Sequence, residues 1–373
     1  MTTPTDLCVL GSTGSIGRNT LDVARHAQFE QRFRVVGLAA GRNADRLIEQ
    51  AREFRPAAVA LEDEFAEERL RAELPPGTQL FMGREGLVEL VETLQAPLVV
   101  GAITGTAGLA PNLAALRQGA RLALANKESL VMGGDLVRRT AEASGATILP
   151  VDSEHSALFQ LLDGHDRTHV RRLILTASGG PFRARDRASF DSITVAEALA
   201  HPTWKMGRKI SIDSATMVNK TLEVLETHFL FNVSPAQIEV VVHPQSLVHS
   251  LVEFVDGSVT AQLSVPDMKL PIQYALTWPE RVTGPCKPFD VFDYATMTFE
   301  PVDEAAFPAV RFGFRAAAAG GTMGAVLNAA NEVAVARFLA SAEAQPAKTP
   351  ADESLAPIRF VNIAELIDHV MSK

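Results

Sequence analysis

The chain predicts an α/β fold in which a parallel sheet comes first, a partly antiparallel sheet second and a helical segment last. Three observations carry this. Over the first 150 residues, short β-like apolar runs alternate with amphipathic stretches, the signature of βαβ units. From Val170 the texture changes, and Asp256-Gly257 separates two alternating segments as a hairpin turn would. After a turn-rich stretch at 279–303 the chain becomes Ala-rich with helical periodicity.

In order, the apolar runs are "LCVLG", "FRVVGLAAG", "AAVAL", "QLFMG", "PLVVGAI", "RLALAN" and "ATILPV", each read as a strand. Then follow "VRRLILTASGG", "KISID" and "IEVVVHP" as further strands, and "LVHSLVEFVDGSVTAQLSV" as the hairpin. Two helices broken at Gly320-Gly321 and a last one in "VNIAELIDHVMSK" end the chain. The intervening "SAEAQPAKTPADESLAP" is low in hydrophobicity and is expected to be an exposed loop. A chain of 373 residues exceeds the usual about 100 to 200 per domain, so several domains are expected. The boundaries fall at 1–150, 151–278 and 304–373, with 279–303 as a linker.

Charge and cysteine usage narrow the function. There are 35 basic and 44 acidic residues, net −9, and no dense Lys/Arg block interleaved with aromatics, so a nucleic-acid surface is unsupported. Only Cys8 and Cys286 occur, far apart, which argues against a disulfide framework and for a reducing compartment. The start lacks the pattern of a secretory leader, and no run of about 18 apolar residues follows, so a cytoplasmic, non-membrane protein is expected.

Directly after the first strand, "VLGSTGSIGRNTLDVAR" gives Gly11-x-x-Gly14-x-x-Gly17 at the mouth of a helix, where backbone amides hold a pyrophosphate. The spacing departs from the usual dinucleotide fingerprint, and a purely structural strand-to-helix turn is the alternative. The second strand ends in Ala40-Gly41-Arg42-Asn43 instead of the acid that NAD enzymes place there, and an arginine at that point favours the 2′-phosphate of NADP(H), an ordinary surface arginine being the alternative. The first segment therefore reads as a Rossmann-like NADP-binding domain.

In "VDSEH", Asp152 and Glu154 converge on one spot if the backbone is extended, which suits a hard cation and equally suits two solvated acids. "KISIDSATMVNKTLEVLETHF" reads as a strand, a cap at Asp213-Ser214 and a helix whose buried stripe is Val218, Leu222, Leu225 and Phe229. Asn219, Lys220 and Glu223 then face away from that stripe. An exposed face with an ordinary Lys-Glu pair at i,i+3 would look the same; the functional alternative is that Ser214, the amide and ammonium one turn on, and Ser178 in "TASGGPF" make a phosphate pocket, with Glu223 beside it as a third oxygen ligand to a cation held by Asp152 and Glu154. Three carboxylates suit Mg²⁺ or Mn²⁺ rather than zinc. "HPTWKMGRK" is read either as a lid or as a loop packed on the core.

"GSTGSIG", "NKESLV", "DSEH", "SGGPF", "HPTWKMGRKISIDSATMVNK", "HPQSLVHS" and "NAANEVAV", in that order, resemble the 1-deoxy-D-xylulose 5-phosphate reductoisomerase family, and only 341–357 looks like a local insertion. The resemblance implies NADPH and Mn²⁺ or Mg²⁺ as cofactors, a sugar phosphate substrate, 2-C-methyl-D-erythritol 4-phosphate as product, and a homodimer. It also implies an NADPH domain, a central α/β catalytic and dimerisation domain with a partly antiparallel sheet, and a C-terminal α-helical domain.

Residue by residue, it implies that Thr13, Gly14, Ser15 and Ile16 hold the cofactor's phosphates, with Gly41, Arg42, Asn43, Asn126, Glu128 and Gly207 completing that site. Arg42 stands where many members carry lysine, keeping the charge and altering the hydrogen-bond geometry. The metal falls to Asp152, Glu154 and Glu223. Lys127, Ser153 and Glu154 contact the reacting end of the substrate, while Ser178, His201, Ser214, Asn219 and Lys220 engage it around the phosphate and Trp204 covers it. Lys127, Glu154 and His201 are the expected catalytic groups. The rival readings are a metal-independent NADP-dependent dehydrogenase of the semialdehyde type and a catalytically silent NADP sensor.

Overall fold

The structure, a computed structural model, describes residues 3–26, 29, 31–204, 206–342 and 357–373. They divide into two compact units, Met1–Phe159 with Asp267–Pro288, and Gln160–Pro266 with Phe289–Lys373.

The first unit is built on a seven-stranded sheet of β1 (Thr5–Leu10), β2 (Phe33–Ala40), β3 (Ala58–Leu61), β4 (Gln79–Met82), β5 (Leu98–Gly101), β6 (Arg121–Leu124) and β7 (Thr147–Pro150). Their order is β4-β3-β2-β1-β5-β6-β7, and every pairing is parallel. All seven predicted runs form these strands. The parallel pairing follows from the helices between them, α1 (Ser15–Arg25), α2 (Ala44–Phe54), α3 (Glu67–Glu73), α4 (Gly83–Leu94), α5 (Leu109–Arg117) and α6 (Lys127–Ser144), because a parallel strand is reached only by a crossover. Leu7, Val9, Leu38, Val59, Leu98, Val100 and Leu149 are wholly buried in its core. Strand order reverses between β1 and β5, so ligands are expected at the carboxyl ends of these strands. After β7 comes α7 (Ser153–Leu162), and later in the chain α11 (Lys269–Thr277) packs within this unit against α1.

The second unit carries a five-stranded mixed sheet. Its members are β8 (Val170–Ala177), β9 (Ile238–Val242), β10 (Val248–Phe254), β11 (Val259–Leu263) and β12 (Glu300–Pro301), in the order β11-β10-β8-β9-β12. β10 and β11 are antiparallel around Asp256-Gly257, with Gly257 at φ +86°, as the hairpin signal requires. Helices α8 (Val195–Leu199), α9 (Arg208–Ala215) and α10 (Val218–Phe231) lie between β8 and β9. The C-terminal helices are α12 (Val310–Ala319), α13 (Met323–Ala340) and α14 (Val361–Met371), with the expected break at Gly320-Gly321. Most of the insertion-like segment near 341–357 lies outside the described residues.

Three local expectations fail. "KISID" belongs to α9 and is not a strand, and the break before α10 falls at Met217, held left-handed at φ +62°, not at an Asp213-Ser214 cap. Five alternating residues do not separate strand from helix, and Gly207 immediately ahead supplies a helix start instead. Asp152 and Glu154 likewise are not an extended pair. The Ser156 amide donates to the Asp152 carbonyl at 2.8 Å, so the chain already turns into α7 there and Glu154 lies in its first turn.

Candidate active site

In the first unit the glycine loop follows β1 directly. Gly11 sits at φ +84°, where a Cβ would come within 2.3 Å of the Ala102 carbonyl oxygen, and a Cβ on Gly17 would come within 2.3 Å of the Gly11 carbonyl oxygen. Two of the three glycines are thus demanded by close backbone approach. The Gly11 and Ser12 amides both donate to the Ala39 carbonyl at 2.8 Å, and the Gln50 side-chain amide fixes the Ser12 carbonyl at 2.9 Å. Gly14 caps α1 with no side chain bonded there, which leaves the amides around Ser15 and Ile16 at an open helix start, a site suited to phosphate. Thr13 is half-buried at the loop's turn. Gly41, Arg42 and Asn43 follow the neighbouring strand β2. Arg42 is exposed, and Asn43 caps α2 by accepting from the Arg46 amide at 3.0 Å. A cation therefore stands at the strand end where a 2′-phosphate has to be met.

Asn126, Lys127 and Glu128 follow β6 and are all buried. The Asn126 side chain donates to the Gly105 carbonyl at 3.1 Å and to Glu128 Oε2 at 2.8 Å. Lys127 Nζ donates to Asp152 Oδ2 at 2.6 Å, and Asp152 follows the adjacent strand β7. Two chemistry-bearing side chains from consecutive strand ends thus meet at the sheet's carboxyl edge. The Ser153 hydroxyl donates to Glu154 Oε2 at 2.7 Å. Asp152 and Glu154 are half-buried hard oxygen donors, a set that fits a divalent cation such as Mg²⁺.

In the second unit, Ser178 follows β8 and is turned into the loop by Gly179 and Gly180, at φ +81° and +67°. Its hydroxyl lies 3.0 Å from His201 Nε2. The amides of Thr203 and Trp204 both donate to His201 Nδ1, at 3.1 and 2.9 Å, so Nδ1 carries the lone pair and Nε2 donates to Ser178. Burial holds the imidazole below its ordinary pKa of 6.5, in keeping with that neutral tautomer. Trp204 is half-buried with its ring centroid 6.4 Å from that of His249, while Lys205 in the same loop lies outside the described residues. Gly207 caps α9, and a Cβ there would meet nothing within 4 Å.

Ser214 lies in the last turn of α9, half-buried, with its carbonyl oxygen 2.7 Å from where a Gly180 Cβ would stand. On α10, Asn219 Nδ2 donates to Glu223 Oε1 and Lys220 Nζ to Glu223 Oε2, both at 2.5 Å, and Lys220 also donates to the Thr176 carbonyl at 2.6 Å. Lys220 and Glu223 are 3% and 1% exposed, which overturns the expectation of an outward face. The pattern Val218, Leu222, Leu225 marks one buried stripe but cannot reveal that the opposite face is buried as well. Sequence reasoning also missed the Lys127–Asp152 ion pair. Its signal was present: both residues directly follow predicted strands.

Profiles of 1-deoxy-D-xylulose 5-phosphate reductoisomerase match residues 7–134, those of its C-terminal domain residues 148–231, and a further DXP reductoisomerase C-terminal domain residues 263–344. The chain belongs to the 1-deoxy-D-xylulose 5-phosphate reductoisomerase family. A relative of that description from Anaeromyxobacter dehalogenans is 53% identical over 90% of this chain and 85% of its own. The Zymomonas mobilis reductoisomerase in complex with NADPH superposes with TM-score 0.88 at 40% identity, covering 99% of this chain and 92% of that one. A DOX-P reductoisomerase in complex with NADPH, fosmidomycin and magnesium gives 0.89 at 40% identity, covering 99% and 89%. The resemblance drawn from the sequence is thereby established, and this chain is an enzyme of that family.

Proposed function

We infer that the chain converts 1-deoxy-D-xylulose 5-phosphate to 2-C-methyl-D-erythritol 4-phosphate with NADPH and a divalent cation, at a site built from the groups described above. The observation that carries the reading is the Lys127–Asp152 pair at the carboxyl ends of β6 and β7, in the unit whose β1–α1 loop suits a dinucleotide phosphate. Thr13 to Ile16, Gly41 to Asn43, Asn126, Glu128 and Gly207 are proposed to hold NADPH, and Asp152, Glu154 and Glu223 the cation.

When bound, the cation supplies a Lewis acid for the substrate's carbonyl and hydroxyl oxygens, and NADPH supplies the hydride. Lys127 is placed to hold a developing oxyanion or to move a proton, and Glu154, held by Ser153, doubles as ligand and base. Ser178, His201, Ser214, Asn219 and Lys220 bind the phosphate, whose binding energy orders the reacting end and closes Trp204 over it. Mn²⁺ is proposed to serve as well as Mg²⁺. The working form is proposed to be a cytoplasmic homodimer, with the NADPH, catalytic, linker and helical functions divided at 1–150, 151–278, 279–303 and 304–373. No described helix is long and apolar enough to cross a membrane.

The test is NADPH oxidation on addition of 1-deoxy-D-xylulose 5-phosphate, with and without Mg²⁺ or Mn²⁺. Asp152→Ala is expected to lose nearly all turnover while NADPH still binds. Undiminished, metal-independent turnover in that variant would instead support the semialdehyde-type dehydrogenase.

A further inference from the structure

We propose that Asn331 is a positioning residue for the phosphate-binding end of the site, acting through Asp213. Asn331 lies on α13, far along the chain from every residue assigned to the reaction, and is wholly buried. Its Nδ2 donates to Asp213 Oδ1 at 2.9 Å, and Asp213 is itself only 1% exposed. The other carboxylate oxygen, Oδ2, lies 2.9 Å from Lys209 Nζ, one turn earlier on α9. A buried carboxylate is tolerated when its oxygens are answered by donors. Here one donor comes from its own helix and the other from α13, so the pair fixes the rotation of α9 about its axis.

That rotation matters because of what α9 carries. Ser214 is the next residue after Asp213, and its carbonyl packs directly on Gly180, in the loop that presents Ser178. The helix starts straight after Gly207, where the Trp204 loop ends, and the left-handed Met217 leads from its end to Asn219 and Lys220. Turning α9 by a fraction of a residue therefore shifts Ser214 against Ser178 and His201. The neighbouring buried amide on α13 gives a contrast: Asn328 Nδ2 donates to Glu332 within its own helix, at 3.1 Å. At a fully buried helix position an apolar residue is the default, so an asparagine that reaches across to a carboxylate specifies an orientation in addition to filling space.

The inference rests on the reading of Ser178, His201, Ser214, Asn219 and Lys220 as phosphate binders. Its test uses the full chain with NADPH and Mg²⁺. In Asn331→Ala, the KM for 1-deoxy-D-xylulose 5-phosphate and the Ki of inorganic phosphate as competitor are expected to rise in parallel by about tenfold, the scale of one lost hydrogen bond to a buried charged group, while the KM for NADPH stays unchanged. Asn331→Ser, which stays polar but whose hydroxyl ends one bond short of the position from which Nδ2 reaches Asp213, serves with the same expected rise in KM and Ki if the alanine variant does not fold. The exchanged pair Asp213→Asn with Asn331→Asp restores an amide–carboxylate bond between the two helices and is expected to recover substrate KM relative to either single variant.

A lowered Tm with unchanged substrate KM and phosphate Ki makes the contact purely structural and overturns the proposal, as does an exchanged pair no better than the single variants. Lys220→Ala separates the two levels. If it leaves substrate KM unchanged, the phosphate reading itself fails; if it raises KM while Asn331→Ala does not, only the positioning role is lost.

Discussion

Lys220 and Glu223 show what burial demands of single residues. A lysine and a glutamate 3% and 1% exposed are tolerated there because each answers the other, with Asn219 and the Thr176 carbonyl taking further valences. Removing one partner of a buried pair costs about 3–5 kcal/mol, more than the pair contributes in net stability, because the remaining charge is stranded. Lys220→Ala is therefore expected to lower Tm sharply and to raise the KM for substrate, as read by thermal denaturation and steady-state kinetics; an unchanged KM would remove the assigned phosphate role, and an unchanged Tm the stranded-charge argument.

His201 obeys the same logic with a proton. Its folded pKa lies below the ordinary 6.5 because burial disfavours the imidazolium, so its contribution to stability is present above 6.5 and is lost as pH falls through the lower folded value. A proton on Nδ1 would also displace the two amides of Thr203 and Trp204 that donate to it. NMR titration of His201 should give a midpoint below 6.5 with the Thr203 and Trp204 amide shifts moving together, and a midpoint above 6.5 contradicts the burial effect.

Among the elements, the β1–α1 loop depends sharply on its glycines. A Cβ on Gly17 would stand 2.3 Å from the Gly11 carbonyl oxygen and 2.5 Å from Ser12 Cα, both backbone atoms that cannot swing aside. Gly17→Ala is expected to cost about 1–3 kcal/mol of overpacking strain and to weaken NADPH binding, measured by denaturation and by cofactor titration. Wild-type cofactor affinity in that variant would separate the loop from the phosphates. This loop was readable in the sequence because strand, glycines and helix are contiguous. So were the seven parallel strands, each bounded by an amphipathic stretch. Helix α9 was not, since "KISID" has the alternation of a strand, and what holds its Asp213 in place comes from Asn331, 118 residues away. The buried setting of Lys220 and Glu223 was hidden for the same reason: periodicity on one helix reports its own stripe and nothing of what covers the other side.

For the molecule as a whole, the second unit's sheet ends in an edge that calls for a partner. β11 lies at the end of the strand order, with Val259 50% and Leu263 37% exposed. An apolar edge strand is a template for pairing with another chain, and natural proteins either blunt such edges with lysine or cover them. Neither Val259 nor Leu263 is charged, and the turn before the strand adds Val255, 64% exposed, to the same apolar margin. A second copy of this chain is the occupant that the proposed homodimer provides. Two subunits of net charge −9 repel each other, so apolar burial has to outweigh that repulsion, and association should tighten as salt screens the charge. Sedimentation velocity at micromolar concentration is expected to give twice the 40.1 kDa chain mass, with the dimer favoured further by added salt. Leu263→Lys, which places a solvated charge at the edge, should shift the population toward monomer. A monomeric wild type would reject the homodimer, and a dimer indifferent to Leu263→Lys would move the interface away from β11.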